Sequence, residues 1–221
     1  MRRIVRGAVL ATGAVMAVAG CGSQVAAPTK KEWSSASLTA AVLSQQDMPE
    51  GFLPAQAQAA FRGVVPRDPS CRRLLALADG YGLRDVPKVT AAFYQTAPGA
   101  TISQQIVHMG SVRAREFVRS ARTVGARCPV LRAEIGGTAM ALHRADIAPR
   151  GWPDTDTYAV RFTQPASRNY LISYEIVMAR SRDDLIILAA PGITRKRAPS
   201  VTVRAARAAA VKLARAHKLN P

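Results

Sequence analysis

The chain is 221 residues long and carries 31 lysines and arginines against 14 aspartates and glutamates, a formal charge of +17. That length suits one good-sized domain, and a charge so far from zero speaks about partners rather than fold. Three histidines and three cysteines, with no G-x-S-x-G elbow, no H-E-x-x-H and no P-loop, leave little for a catalytic, metal or nucleotide site, so no catalytic residue, metal or cofactor is predicted.

The first segment reads MRRIVRGAVLATGAVMAVAGC. Arg2, Arg3 and Arg6 form a positive flank, and Gly7 to Gly20 follow without a charge. A membrane-spanning helix needs ~20 apolar residues, so this run fits the apolar region of a secretory signal peptide instead. Val18-Ala19-Gly20-Cys21 closes it and resembles a bacterial lipobox. The resemblance implies that the Cys21 thiol is alkylated with diacylglycerol and that the chain is cut between Gly20 and Cys21. A thiolate is the nucleophile such chemistry needs, and small residues at Ala19 and Gly20 let the backbone enter a peptidase cleft. Valine stands where leucine is commoner in that box. Residues 1–20 are thus expected to be removed and Cys21 to carry the lipid, anchoring the protein on the outer side of the cell membrane without spanning it. An ordinary signal peptide with an incidental Cys21 is the alternative.

Removing those 20 residues takes away three arginines and no acid, leaving 201 residues and a charge of +14. Anionic lipid headgroups, phosphate-bearing wall polymers, acidic polysaccharide or a protein of the envelope fit such a surface, and an exported position argues against nucleic acid. Solubility alone accounts for the charge equally well. With Cys21 on the lipid, Cys71 and Cys128 remain, an even pair in an exported chain. A disulfide between them would close a loop of 57 positions, for which the chain-entropy model gives roughly 4 kcal/mol. Two free buried thiols are the alternative; with no histidine near them they are too few to hold a metal.

Residues 21–37 (through GSQVAAPTKKEWSSAS) are polar and read as a tether, with Trp33 its one large apolar side chain. The folded domain is expected over 38–219. LTAAVLSQQDMPEGF gives a short helix and a turn at Met48-Pro49-Glu50-Gly51. RDPSCRRLLALADGYG is a helix with Asp68 as cap, Pro69 in the first turn and Gly80 at the exit. Cys71, Leu74, Leu75 and Ala78 share its inner face. Lys88–Thr96 and Ala100–Met109 read as strands joined at Pro98-Gly99. GSVRAREFVRSARTVG follows as a helix, capped by Ser111 and stopped by Gly125, with Cys128 just beyond. Strands are then predicted over Ala139–Ile147, Thr157–Thr163, Tyr170–Ala179 and Leu185–Ala190, at spacings that suit antiparallel neighbours. Pro199–Leu219 reads as a closing helix. Val203, Ala206, Ala210, Leu213 and His217 line one side of it; Arg204, Arg207, Arg215 and Lys218 line the other. The whole is α+β: a single domain with helices packed on one face of an antiparallel sheet.

The turn Asp47 to Phe52, the segment DPSC and the segment RTVGARCPV carry a further likeness. With the alanine-rich last helix, they make the chain resemble actinobacterial surface lipoproteins related to the extracellular sensor domain of the mycobacterial receptor kinase H. The resemblance implies an α/β sandwich-like domain with a cleft that binds a ligand outside the cell. This chain has one internal cysteine pair where the kinase domain has two, and no kinase.

Other candidates read as structural. His108 and His143 sit on strands and His217 in the last helix, as packed or surface residues rather than catalysts. Asp154 with Asp156, and Asp183 with Asp184, offer too few oxygens for calcium and read as solvated turns. Tyr158, Tyr170 and Tyr174 read as core or sheet surface. The function expected first is therefore a non-catalytic surface lipoprotein that binds an envelope ligand or partner. The alternative is a structural or interaction protein of the envelope acting through Arg204, Arg207, Arg215 and Lys218. An enzyme acting on envelope material comes third.

Overall fold

The computed structural model describes residues 35–147, 157–196 and 199–219, which fall in one compact unit, Trp33–Pro221. The expected signal peptide, Cys21, nearly all of the tether and the Asp154–Asp156 pair lie outside the described residues. The described chain runs α1 (Ser35–Ala40), a 3-10 turn (Gln45–Asp47), β1 (Leu53–Ala55), β2 (Val64–Pro66), α2 (Pro69–Ala78), β3 (Lys88–Gln95), β4 (Ala100–His108) and α3 (Ser111–Ala126). It continues through β5 (Val130–Ile135), β6 (Thr138–Asp146), β7 (Thr157–Pro165), β8 (Tyr170–Ser181), β9 (Asp184–Arg195) and α4 (Val201–Leu219).

The strands form one antiparallel sheet in the order β1-β3-β4-β9-β8-β7-β6-β5-β2. The fold class is α+β, with helices packed against an antiparallel sheet. Both edge strands are three residues long and each contains a proline, Pro54 or Pro66. Proline withholds a ladder donor, so both edges resist pairing with another chain.

The helices divide between the two faces. α2 and α3 pack on one, where Leu74, Leu75, Val118 and Ala121 meet Val107, Phe162, Ile176, Leu185 and Ile187. The sequence predicts all the helices on one face; only α2 and α3 occupy this one. α1 and α4 pack on the other, where Leu38, Ala206, Ala209 and Leu213 meet Ile106, Val177, Ile186 and Leu188. Alternate residues of β9 therefore enter different cores, and β8 and β9 are buried on both faces. That is why each reads as a nearly unbroken apolar run instead of an alternation.

Local chemistry sets the helix ends. Asp68 accepts from the amides of Ser70 (2.7 Å) and Cys71 (3.1 Å), with Pro69 next in the chain. The exit passes through Gly80 at φ 81°, a conformation that costs glycine nothing. Cys71 and Cys128 are joined by a disulfide with an S–S distance of 2.05 Å, tying the first turn of α2 to the exit of α3. Two expectations for α3 are corrected. Its cap position is Gly110, and Ser111 instead donates its amide to the Asp183 carboxylate at 2.9 Å. Gly125 does not stop the helix: it is a buried inner position where a Cβ would lie 1.9 Å from Tyr158 Oη.

Candidate functional site

The most irregular part of the sheet lies where β4 meets the end of β9. β9 reads DLIILAAPGITR and continues past the expected end at Ala190. Pro191 has no amide hydrogen to give to a ladder, and a central strand rarely carries one. Accordingly the β4–β9 pairing lapses there: it runs from His108↔Asp184 to Ser103↔Ala189 and resumes only at Ala100↔Gly192. Gly192 allows the resumption, since a Cβ there would lie 2.5 Å from Ala100 Cα. Thr101 Oγ1 donates to the Pro191 carbonyl at 3.3 Å, a side-chain bond beside the interruption.

Cavities flank this interruption on both faces. On the α4 face a cavity of about 250 Å³ lies among Phe52, Pro98, Ile102, Ala190 and Ile193, with Val201 and Thr202 of α4 closing one side. On the other face a more open cleft of about 490 Å³ runs past Tyr94, Ile135, Met140, Ile172 and Tyr174. Both are mainly apolar. Among the polar residues of the first, Glu175 and Thr202 are buried, Gln95 and Thr194 half-buried, and Thr101 and Arg195 exposed. Glu175, only 3% exposed, accepts at Oε1 from Arg161 Nε (2.6 Å) and Nη2 (2.5 Å), and at Oε2 from Ser200 Oγ (2.5 Å). Arg161 and Glu175 are cross-strand neighbours of β7 and β8, so an acid in an apolar strand faces its counter-charge. Ser200 in turn accepts the amide of Val203 at 3.0 Å and so caps α4. Thr202 is 0% exposed, and its hydroxyl finds no hydrogen-bond partner among the described residues.

α4 spans the sheet from this cavity to a second polar cluster. Asp184, at the start of β9, is 0% exposed. Its Oδ1 lies 2.7 Å from His108 Nδ1, and its Oδ2 lies 3.1 Å from His217 Nε2 near the end of α4. Burial pushes the Asp184 carboxyl up to about 6, against the opposing hydrogen bond of His108. Burial, with the Arg182 charge, pushes His217 down to about 4. Asp183–Asp184 is therefore not a solvated turn. Successive residues diverge there: Asp183 holds the start of α3 while Asp184 points inward. Midway along α4, Lys212 Nζ donates to the Val42 carbonyl (3.0 Å) and to Asp47 Oδ2 (2.5 Å). Although burial works against it, bonds from Lys212 and Ser44 hold the Asp47 carboxyl below its usual value.

The basic residues predicted on α4 are where the spacing put them. Arg204, Arg207, Arg215 and Lys218 are all exposed, while Val203, Ala206, Ala210, Leu213 and His217 are buried. The four basic residues lie along one face of the helix and line neither cavity. His143 is exposed, Tyr170 half-buried, and Tyr158 and Tyr174 belong to the core. Glu175, Thr202 and the convergence on Asp184 escaped sequence reasoning. A readable sign existed for Glu175 alone, a charge inside the run ISYEIVMA.

No protein-family model matches the sequence, and no curated protein does. Among solved structures, human StarD13 (lipid transfer and protein localization domain) is 6% identical with a TM-score of 0.28, over 57% of this chain and 83% of that one. Human STARD10 is 6% identical with a TM-score of 0.31, over 80% and 82%. Neither likeness is close enough to bear on this chain. The extracellular domain of PknH from Mycobacterium tuberculosis is 15% identical with a TM-score of 0.59, over 84% of this chain and 97% of that chain. At that identity the comparison shows the fold: an antiparallel sheet with packed helices, similar to that extracellular domain.

Proposed function

We propose that this protein is a lipoprotein of the outer face of the cell membrane, held by Cys21, whose domain binds a ligand of the envelope without transforming it. The observation that carries the reading is the interruption of the β4–β9 ladder at Pro191, beside which a mainly apolar cavity of about 250 Å³ is lined by two buried polar residues, Glu175 and Thr202, with more exposed ones at its edge. Small-molecule sites have that character: concave, mostly apolar, with few polar groups that fix orientation. The reading is non-catalytic because the carboxylate facing the cavity, Glu175, is already engaged at both oxygens by Arg161 and Ser200 and is poorly placed to take a proton. The disulfide suits an exported domain, and the fold is similar to one from outside a mycobacterial cell.

Native mass spectrometry of the mature protein, released from membranes in mild detergent, tests the ligand. A co-purified envelope lipid or glycan is expected; a bare mass together with no binding to envelope extracts would remove the reading. Cys21→Ala tests the anchor: the protein should leave the membrane fraction or stay unprocessed, and a variant both cut and anchored would overturn the lipobox.

A second reading rests on the exposed face of α4. Arg204, Arg207, Arg215 and Lys218 form a basic stripe in a segment with eight basic residues and no acid from Arg195 onward. Each basic residue near an anionic surface contributes ~1 kcal/mol. In the domain without its lipid, reversing all four charges should abolish binding to anionic vesicles, and unchanged binding would exclude this role.

A further inference from the structure

Thr202 is the second residue of α4, fully buried, and one of the residues lining the cavity beside Pro191. Its hydroxyl has no partner among the described residues, whereas buried polar groups are nearly always paired. A threonine deeper in a helix returns its hydroxyl to a carbonyl one turn back; in the first turn the helix offers none. Ser200 near it donates to Glu175 and accepts from Val203, and no bond joins it to Thr202. The first-turn amides of α4 likewise have no carbonyl within the helix to bond, and that end of a helix favours negatively polarised oxygen. Arg195 adds a positive charge at the wall, and the Glu175 charge is already matched by Arg161. Thr202 and Arg195 thus offer donors to the cavity with no charge left over from Glu175 to oppose them, while Phe52, Ile102, Ala190 and Ile193 present hydrocarbon. A void of ~150 Å³ accommodates a benzene ring, so about 250 Å³ holds a polar head and a short run of carbons, not a whole lipid.

We infer that this cavity takes the carbonyl end of an acyl chain, with the Thr202 hydroxyl donating to the acyl oxygen and the first carbons lying against Phe52, Ile102 and Ile193. The inference rests on the reading of this cavity as the ligand site. A free fatty acid and an acyl ester of a larger lipid share the chemistry. Arg195 distinguishes them, because it matters to a carboxylate more than to an ester.

The experiment is isothermal titration of the mature protein with octanoate, methyl octanoate and octylamine. Octanoate, its ester, or both should bind, and octylamine should not. Thr202→Val, which keeps the shape and removes the hydroxyl, should weaken binding about five- to tenfold while leaving the melting temperature of the unliganded protein unchanged or higher. A residue serving stability alone would behave oppositely. Arg195→Gln should weaken octanoate only, and a ligand insensitive to it is an ester. Equal binding of octylamine, or unchanged affinity in Thr202→Val, would overturn the inference. If neither acyl probe binds but native mass spectrometry shows another bound compound, the acyl assignment fails and the ligand-site reading stands. If neither binds and no compound co-purifies, both fall.

Discussion

Gly125→Ala is the sharpest test of how α3 seats on the sheet. The new Cβ would lie 1.9 Å from Tyr158 Oη and 2.6 Å from Cζ, well inside the 3.4–4 Å of ordinary contact. Tyr158 is 4% exposed, so its ring has no open space to move into. Two effects oppose each other. Alanine favours a helix over glycine by ~1 kcal/mol, and overpacking a core costs ~1–3 kcal/mol. A contact this short belongs at the upper end of that cost, leaving a net loss of ~2 kcal/mol, or ~4–8 °C in melting temperature for a domain of this size. Tyr158→Phe removes the nearest atom. Burial pushes the Tyr158 phenol up to about 12, and its hydroxyl has no hydrogen-bond partner among the described residues, so that change alone should be neutral or slightly stabilising. In the Tyr158→Phe background the 2.6 Å contact with the ring carbon remains, and Gly125→Ala should cost less without becoming free. Urea and thermal unfolding of the four proteins, followed by circular dichroism, measure the coupling. An alanine that is neutral in the wild type, or equally costly in both backgrounds, would refute the packing account.

Replacing Cys71 and Cys128 together by alanine opens a loop of 57 positions and should cost ~4 kcal/mol, or ~8–16 °C; a shift below ~2 °C would show that the disulfide does not constrain the unfolded chain. The Asp184 cluster predicts a pH dependence with two opposed parts. His217, depressed from 6.5 to about 4, lends stability that is present above pH 6.5 and lost as pH falls toward 4. Asp184, raised from 3.8 to about 6, lends stability that is present at low pH and lost as pH rises through 6. Relative to wild type, His217→Gln should therefore gain stability between pH 6 and 4 and Asp184→Asn should lose it. Parallel melting-temperature profiles would refute the pairing.

What could be read from the sequence follows from how local each signal is. The Asp68-Pro69 start of α2, the hairpin at Pro98-Gly99 and the two faces of α4 are set by neighbours within a turn or two, and each stands as expected. β1 and β2, at three residues apiece, are too short to show a period. β5 does alternate in burial over VLRAEI, but it follows α3 so closely that in sequence it merges with the helix exit. The helices on the second face are announced only indirectly, by the unbroken apolar runs of β8 and β9. Nothing local tells a strand buried on two faces from one whose neighbours are simply hydrophobic. Asp184 is harder still: His108 and His217 lie far from it in sequence, and only the crossing of β4, β9 and α4 brings the three together.

Departures from local rules can also be sorted by whether the protein compensates for them. Asp184 is buried but set between two imidazoles. Glu175 is buried but held by Arg161 and Ser200. The strand that Pro191 interrupts resumes through Gly192 and the side chain of Thr101. Each of these costs is offset inside the chain, and each pins α4 or β9 in place. Thr202 is different, since its buried hydroxyl has no hydrogen-bond partner among the described residues and the residue lines the cavity beside Pro191. Ser173 Oγ, opposite Gly192, is also buried without a partner among the described residues, but Thr202 lines the cavity, where a ligand can supply the acceptor. For that reason the ligand should be sought at the first turn of α4 before the wider cleft on the opposite face.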